Sequence, residues 1–374
     1  MLRKFRVSNF KSFENNFELD LTGINGYEFN KECVRNGIVN NALIYGHNGV
    51  GKSNLALAIF DIIEHLTDKH RDERVYRNYL NAYNKSTFAE FYYEFLINSQ
   101  IITYEYRKTD YKTIVYEKFT INNEELAFFD RSKGLHSTIK FKGAETLKTE
   151  IGNNELSLLK YIKNNTELEQ NQTNTTFLFF FEFINSMLYF RSLQQERIYL
   201  GLGDGTRDNI VENIIEKNNV KDFEEFLNRA GIECKLSVVT KIDNKKTLAF
   251  NFNEKNISFA DAASTGTIAL TLFYYWFQSI KKKAEVSFLF IDEFDAFYHH
   301  ELSALVVEKL KETGVQFILT THNVSIITNE LLRPDCYFLM NKRKIRSLSK
   351  CTEKELREAH NIEKMYKANA FHVE

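Results

Sequence analysis

Residues 46–53 have the sequence Gly-His-Asn-Gly-Val-Gly-Lys-Ser, which fits the phosphate-binding pattern G-x-x-x-x-G-K-[ST]. The apolar segment 37–45 before this loop predicts a buried strand, and the apolar residues 54–63 after it predict a helix. Such a strand, loop and helix form an anion site, because the loop amides and the positive helix end face the same point. A chance glycine-rich turn is the alternative, and the two flanking segments argue against it.

We therefore expect the loop to bind ATP together with Mg²⁺. Lys52 is predicted to reach the β- and γ-phosphates, and Ser53 is predicted to ligate the metal ion. The predicted nucleotide contacts of this region are Gly46, His47, Asn48, Gly49, Val50, Gly51, Lys52, Ser53 and Asn54.

Two later apolar runs end in polar residues that suit nucleotide hydrolysis. Residues 286–293 end in Asp292, predicted to hold Mg²⁺ through its second coordination shell, and Glu293, predicted to polarise the attacking water. Residues 315–322 end in His322, which we expect to contact the γ-phosphate or that water. The predicted catalytic residues are therefore Lys52, Glu293 and His322. Taken singly, an exposed acidic pair or a structural histidine is the alternative interpretation.

Composition narrows the class of protein. The 374 residues carry 49 basic and 50 acidic side chains, so the chain is not coated with positive charge for nucleic acid. Its four cysteines are far apart and have no metal-binding spacing, which is typical of reduced thiols in the cytoplasm. The longest apolar run, 177–190, is too short to cross a bilayer, and the N-terminal residues do not form a signal peptide. We expect a soluble cytoplasmic protein.

The pattern along the chain predicts four parts. Residues 1–120 contain two short strands (3–7 and 17–21), the phosphate loop and an antiparallel aromatic hairpin with a further strand over 88–120. Residues 121–235 are predicted to be a mainly helical insert, residues 236–350 the second part of the nucleotide-binding unit, and residues 351–374 a helical tail. Within the insert, the predicted helices are 155–170, 176–195, 208–217 and 222–230, and Gly201-Leu202-Gly203-Asp204-Gly205 is predicted to be a turn between helices.

Five segments in this order resemble the ABC-type ATPase head shared by RecF-like, SMC-like and OLD-like proteins. They are 9–13, the phosphate loop, 264–267, 290–297 and 319–323. The sequence is most similar to the AAA15 or RloA-like ATPases. The resemblance implies an α/β fold, a P-loop NTPase of ABC-ATPase type. Its composite head is built from N- and C-terminal segments, with an antiparallel β subdomain and an inserted helical subdomain.

The resemblance also implies roles for individual residues. Ser264-Thr265-Gly266-Thr267 corresponds to the signature motif, in which Ser264 and Gly266 cap the γ-phosphate held by a second subunit. Asp295 is implied in the segment that crosses the dimer axis, His322 as the switch histidine, and Lys11 near the α-phosphate. Two heads would then enclose two nucleotides.

The sequence departs from the general ABC pattern at the glutamine that senses the metal. Gln100 is predicted in a hairpin turn and Gln194-Gln195 in the helical insert, so this glutamine stays unassigned. The segment His299-His300-Glu301 suggests either a metal site or a helix start, and we favour the helix start.

The tail, 358–371, resembles the ends of family members paired with an effector in two-gene phage-defence systems of the abortive-infection or PARIS type. OLD nucleases carry a TOPRIM nuclease domain after the head, and the chain after His322 is too short for one. We therefore expect any nuclease to be a separate chain.

The favoured hypothesis is an ATPase that dimerises through its heads or forms a higher oligomer. We expect it to sense a phage trigger, either a protein or DNA, and to regulate a separate effector without contacting a membrane. A RecF- or SMC-like ATPase that binds DNA in repair is the second hypothesis, supported by the basic segments 281–283 and 341–346. A scaffold that uses ATP with little turnover is the third. A transporter ATPase fits least, because its coupling segments are not visible.

Overall fold

The computed structural model describes residues 1–69, 73–153, 155–191, 199–201, 210–241, 243–253, 255–282 and 285–373. Within these ranges the strands are β1 (Leu2–Ser8), β2 (Phe17–Asp20), β3 (Val34–Arg35), β4 (Ile38–Val39), β5 (Asn41–Tyr45), β6 (Ala89–Ile97), β7 (Gln100–Lys108), β8 (Ile114–Ile121), β9 (Glu124–Asp130), β10 (Thr138–Ile139), β11 (Met187–Arg191), β12 (Tyr199–Gly201), β13 (Leu236–Thr240), β14 (Lys246–Phe252), β15 (Lys255–Ser258), β16 (Phe288–Asp292), β17 (Gln316–Thr321), β18 (Tyr337–Met340) and β19 (Ile345–Ser347). The helices are α1 (Lys52–Leu66), α2 (Leu158–Asn165), α3 (Gln172–Asn185), α4 (Ile210–Glu216), α5 (Val220–Arg229), α6 (Phe259–Ala262), α7 (Thr265–Ile280), α8 (His300–Thr313) and α9 (Ile362–Lys367).

A mixed seven-stranded sheet carries the phosphate loop. Its order is β12-β11-β16-β17-β5-β18-β19, and the five strands from β11 to β18 run parallel. Every residue of β5, β16, β17 and β18 is buried, as expected for parallel strands covered on both faces. Since β17 lies between β5 and β16, the carboxyl ends of these three strands meet at one edge of the sheet.

A second seven-stranded sheet is antiparallel, in the order β10-β9-β8-β7-β6-β1-β2. Burial alternates along β6 and β7, and the buried face is aromatic, with Phe91, Tyr93, Phe95, Tyr104 and Tyr106. The hydroxyl of Tyr93 donates to the carbonyl of Ala58 at 2.9 Å, so this face lies against α1. The predicted aromatic hairpin and the strand pair at the N-terminus are confirmed.

A smaller antiparallel sheet, β13-β14-β15, has its own apolar cluster with α4, α5 and the face of α7 that carries Leu270 and Tyr274. Phe223 and Tyr274 contact each other there with ring centroids 4.8 Å apart. The tail packs on the parallel sheet, because Tyr366 of α9 contacts Tyr45 at the end of β5. No helix of the described residues is long and apolar enough to span a membrane.

The structure differs most from the sequence interpretation in the middle of the chain, residues 121–235. The helix predicted over 176–195 ends at Asn185, and Met187–Arg191 instead forms β11, which pairs with β16 inside the parallel sheet. Periodicity cannot separate a buried helix from a buried strand within one continuous apolar run, which explains the error. Among the described residues of 121–235, the four helices α2 to α5 are accompanied by strands, and β9 and β10 extend the antiparallel sheet.

Three further predictions differ from the structure. Gly201 ends the strand β12 and does not lie in a turn between helices, while 202–205 lie outside the described residues. The tail, expected to be helical over 351–374, contains only the six-residue helix α9 among its described residues. Gln100 begins β7 after the predicted hairpin turn, and Gln194 and Gln195 lie outside the described residues. The four proposed domain boundaries stay predictions.

Candidate functional site

The phosphate loop connects the end of β5 to the first residue of α1. Gly51 precedes that helix with a φ of +105°, and a Cβ atom built on it would lie 2.6 Å from the Ser12 hydroxyl oxygen. Glycine is therefore required at this position by its backbone angle and by the close approach of Ser12. Asn54 also donates to the Ser12 oxygen at 2.9 Å, so the turn at 9–13 is joined to the start of α1.

The amine of Lys52 lies at the mouth of the loop. It donates to the carbonyl oxygens of Gly46 at 2.7 Å and His47 at 3.2 Å, and it lies 3.0 Å from each ring nitrogen of His322. Burial lowers the pKa of Lys52, and the nearby carboxylates of Asp292, Glu293 and Asp295 oppose this shift. Lys52 of the phosphate loop and His322 at the end of β17, which are far apart in sequence, thus contact each other at one edge of the sheet.

The side chain of Asp292 is fully buried at the end of β16. Thr320 donates to its Oδ1 at 2.6 Å, whereas its Oδ2 accepts no hydrogen bond among the described residues. Burial raises the pKa of Asp292, and hydrogen bonds from Ser53 and Thr320 partly offset that shift. A buried carboxylate oxygen with spare acceptor capacity beside a serine hydroxyl fits a hard divalent cation, so Ser53 and Asp292 are the residues that would hold Mg²⁺.

Glu293 has a left-handed backbone, with a φ of +51°. Its N–H donates to the Thr320 hydroxyl at 2.8 Å, which anchors this uncommon conformation to the neighbouring strand. The carboxylate is then placed with Oε1 3.5 Å from His322 Nε2 and Oε2 3.5 Å from Arg191 Nη2. The left-handed backbone of Glu293 is therefore held in place by β17, because the Thr320 hydroxyl bonds to Glu293 and to Asp292.

The segment 264–267, which the resemblance implies is the signature motif, lies at the start of α7. The Ser264 hydroxyl accepts the Thr267 N–H at 3.1 Å as an N-terminal cap, and Ser264 is exposed. A Cβ atom on Gly266 would lie 3.2 Å from the Phe297 carbonyl oxygen, so the segment after β16 packs against this helix start. The hydrogen bonds of the Ser264 side chain stay within the helix, which leaves its surface open to another molecule.

Two residues implied by the resemblance have structural partners. The amine of Lys11 donates to the Arg77 carbonyl at 3.0 Å, and burial lowers its pKa. Asp295 accepts the Thr321 hydroxyl at 2.7 Å, and burial raises its pKa. His299 caps the start of α8, as favoured above, and the described residues contain no cluster of three or more metal-binding side chains.

Sequence reasoning missed Arg191, which it placed inside a helix. Arg191 ends β11 directly opposite Asp292, with Nε 3.4 Å from Asp292 Oδ2. An apolar run that ends in a charged residue, as 187–191 does, was the available signal, because 286–293 has the same form.

One family model and several solved structures match this chain. A family model described as "AAA domain, putative AbiEii toxin, Type IV TA system" matches residues 42–328. None of the curated proteins is significantly similar. Among solved structures, the SMC head domain from Thermotoga maritima is 14% identical with a TM-score of 0.41, covering 92% of this chain and 98% of that chain.

Two further solved structures are SMC heads bound to parts of the protein ScpA. One is bound to the C-winged helix domain of ScpA, with 16% identity, a TM-score of 0.46 and coverage of 93% and 98%. The other, described as derived from Pyrococcus furiosus, has 13% identity, a TM-score of 0.44 and coverage of 93% and 97%. Because the family model spans more than half of the sequence, this chain belongs to the family "AAA domain, putative AbiEii toxin, Type IV TA system".

Proposed function

We propose that the chain is an ATP-hydrolysing switch that dimerises through its heads and controls a separate effector, a nuclease by the resemblance, in anti-phage defence in the cytoplasm. The observation that carries the ATPase half is the contact series Lys52–His322–Glu293, with separations of 3.0 and 3.5 Å, at the edge where β5, β16 and β17 end. This series joins the residue expected to hold phosphate to the one expected to activate water.

Each residue has a role in this proposal. Bound Mg-ATP supplies the phosphoanhydride bond that water breaks. The loop amides and Lys52 bind the phosphate oxygens, and Lys52 gives up its contacts with Gly46 and His47 to do so. Ser53 and Asp292 hold the metal ion. Glu293 accepts a proton from water, and His322 holds the Glu293 carboxylate in place.

The exposed start of α7 supports the dimer. Ser264 and Gly266 offer a small, open helix N-terminus, which suits an anion held by a second head. The family description places its members in a type IV TA system, which supports a role together with a partner protein. The four cysteines are free thiols, which suits the cytoplasm.

The test is the solution mass by light scattering, with and without Mg-ATP, for the wild type, Glu293→Gln and the exposed control Glu308→Gln. We expect Glu293→Gln to release phosphate at least about a hundredfold more slowly and to be trapped as a dimer by Mg-ATP. Adding Ser264→Arg should abolish that dimer while nucleotide affinity is kept. A mass that does not respond to ATP in any variant would contradict nucleotide-gated dimerisation and favour a standing scaffold.

A further inference from the structure

Arg191 contacts the two carboxylates that the proposed function assigns to the metal ion and to water. Its Nε lies 3.4 Å from Asp292 Oδ2, and its Nη2 lies 3.5 Å from Glu293 Oε2. The three side chains are largely enclosed, with exposed fractions of 16% for Arg191, 0% for Asp292 and 18% for Glu293. One guanidinium group therefore bridges two adjacent acids in a poorly solvated place.

The strand register holds Arg191 at this point. Residues 187–191 of β11 pair in parallel with residues 288–292 of β16, so Arg191 lies opposite Asp292 at the carboxyl edge. The preceding residues of β11 are fully buried, with Leu188 and Tyr189 at 1% exposure or less. Because the core fixes this strand, the backbone of Arg191 is held at the carboxyl edge of the sheet.

A cation at this position has two consequences. It places a positive charge beside Asp292 Oδ2, which accepts no hydrogen bond among the described residues and is an oxygen that a metal ion could bind. It also restrains Glu293 through Oε2, while Oε1, the other carboxylate oxygen, lies 3.5 Å from His322 Nε2. The planar guanidinium can contact both acids at once, whereas a lysine ammonium is a point charge that cannot hold both geometries.

We propose that Arg191 is a positioning residue that competes with a divalent cation for Asp292 and orients Glu293 toward His322. The inference rests on the proposed function, since it concerns the same two carboxylates. It adds a residue to the site and makes metal entry a competition between two cations. The competition with the metal ion depends on the positive charge of residue 191. The orientation of Glu293 depends on the planar guanidinium of Arg191, which contacts both acids.

Manganese binding tests the competition without any turnover. Mn²⁺ alone is titrated into the full chain and followed by electron paramagnetic resonance for wild type, Arg191→Gln, Arg191→Lys and the exposed control Arg357→Gln. We expect Arg191→Gln to bind Mn²⁺ about fivefold more tightly, because a unit positive charge near the metal is lost. Arg191→Lys and Arg357→Gln should bind as the wild type does.

Steady-state kinetics tests the orientation. In Arg191→Lys we expect kcat to fall about tenfold with KM within about twofold, since ground-state binding is kept and only Glu293 is less well placed. Unchanged or weaker Mn²⁺ binding in Arg191→Gln, or an equal gain in Arg191→Lys, would overturn the competition. A normal kcat in Arg191→Lys would overturn the orientation even if Arg191→Gln did not fold. If the wild type itself lacks turnover, the proposed function fails while the Mn²⁺ comparison still decides the competition.

Discussion

At the scale of single residues, much of the candidate site could be predicted from short sequence motifs. Lys52, Ser53, Asp292 and Glu293 were predicted because a motif states the chemistry and the spacing together. Arg191 has no such motif. Its meaning comes from lying opposite Asp292 across two paired strands, and 101 residues of chain separate the two positions in a way that no local window contains.

Gly201 at the end of β12 gives a prediction at the same scale. Its φ is +96°, and a Cβ atom there would lie 1.9 Å from the Met187 carbonyl oxygen, so β11 would have to move. We expect Gly201→Ala to lower the free energy of unfolding by about 2 kcal/mol more than Gly231→Ala does. Gly231 is the matched control, with a φ of +82° and nothing within 4 Å of the added atom. Urea denaturation measures the difference, and equal losses would show that β11 accommodates the methyl group.

At the scale of elements, α1 is tied to the antiparallel sheet by a buried polar network. Asp61 of α1 accepts the Lys108 amine at 2.8 Å and the Tyr106 and Tyr79 hydroxyls at 2.9 Å each. The ion pair is completely buried on both sides. The helix that begins at the phosphate loop is therefore held in register with β7.

We expect Lys108→Met to lower the free energy of unfolding by about 3–5 kcal/mol, because it leaves the Asp61 charge buried without its counter-ion. The neighbouring Arg107 is the matched control, since its ion pair with Glu90 is half exposed, and Arg107→Met should cost no more than about 1 kcal/mol. Equal losses in chemical denaturation would mean that the tyrosine hydroxyls satisfy Asp61 by themselves.

Helices and strands were predicted correctly where their hydrophobic patterns differ, and incorrectly where one apolar run is compatible with both. The aromatic hairpin alternates with period two, and α1 follows its motif, so each was identified correctly. Residues 177–190 form one apolar run that the structure divides between α3 and β11. The division depends on β16 offering an edge for pairing, which is a tertiary condition.

At the scale of the whole molecule, one buried side chain joins the two large sheets. Gln316 of β17 accepts the Leu2 N–H at 2.7 Å and donates to the Leu2 and Val39 carbonyls at 2.8 and 3.0 Å. Since Leu2 begins β1 of the antiparallel sheet, Gln316 fixes that sheet against the parallel one.

Gln316→Leu should lower the free energy of unfolding by about 3 kcal/mol, because buried backbone groups of Leu2 and Val39 lose their partners. Faster hydrogen exchange over β1 should accompany the loss. The more exposed Gln278→Leu serves as the control, with an expected change below about 1 kcal/mol. Unchanged exchange in β1 would show that the sheets are held together by apolar packing alone.

The sequence by itself predicted the residues of a nucleotide site and determined the class of fold. The glycine loop, the apolar runs that end in polar residues and their order along the chain are local patterns with a direct physical meaning. Only the tertiary structure decided that 187–191 is a strand, that Arg191 bridges Asp292 and Glu293, and that Lys52 lies against His322. Those relations arise when β11, β16, β17 and β5 align in one parallel sheet, because parallel pairing brings residues that are distant in sequence to a common edge.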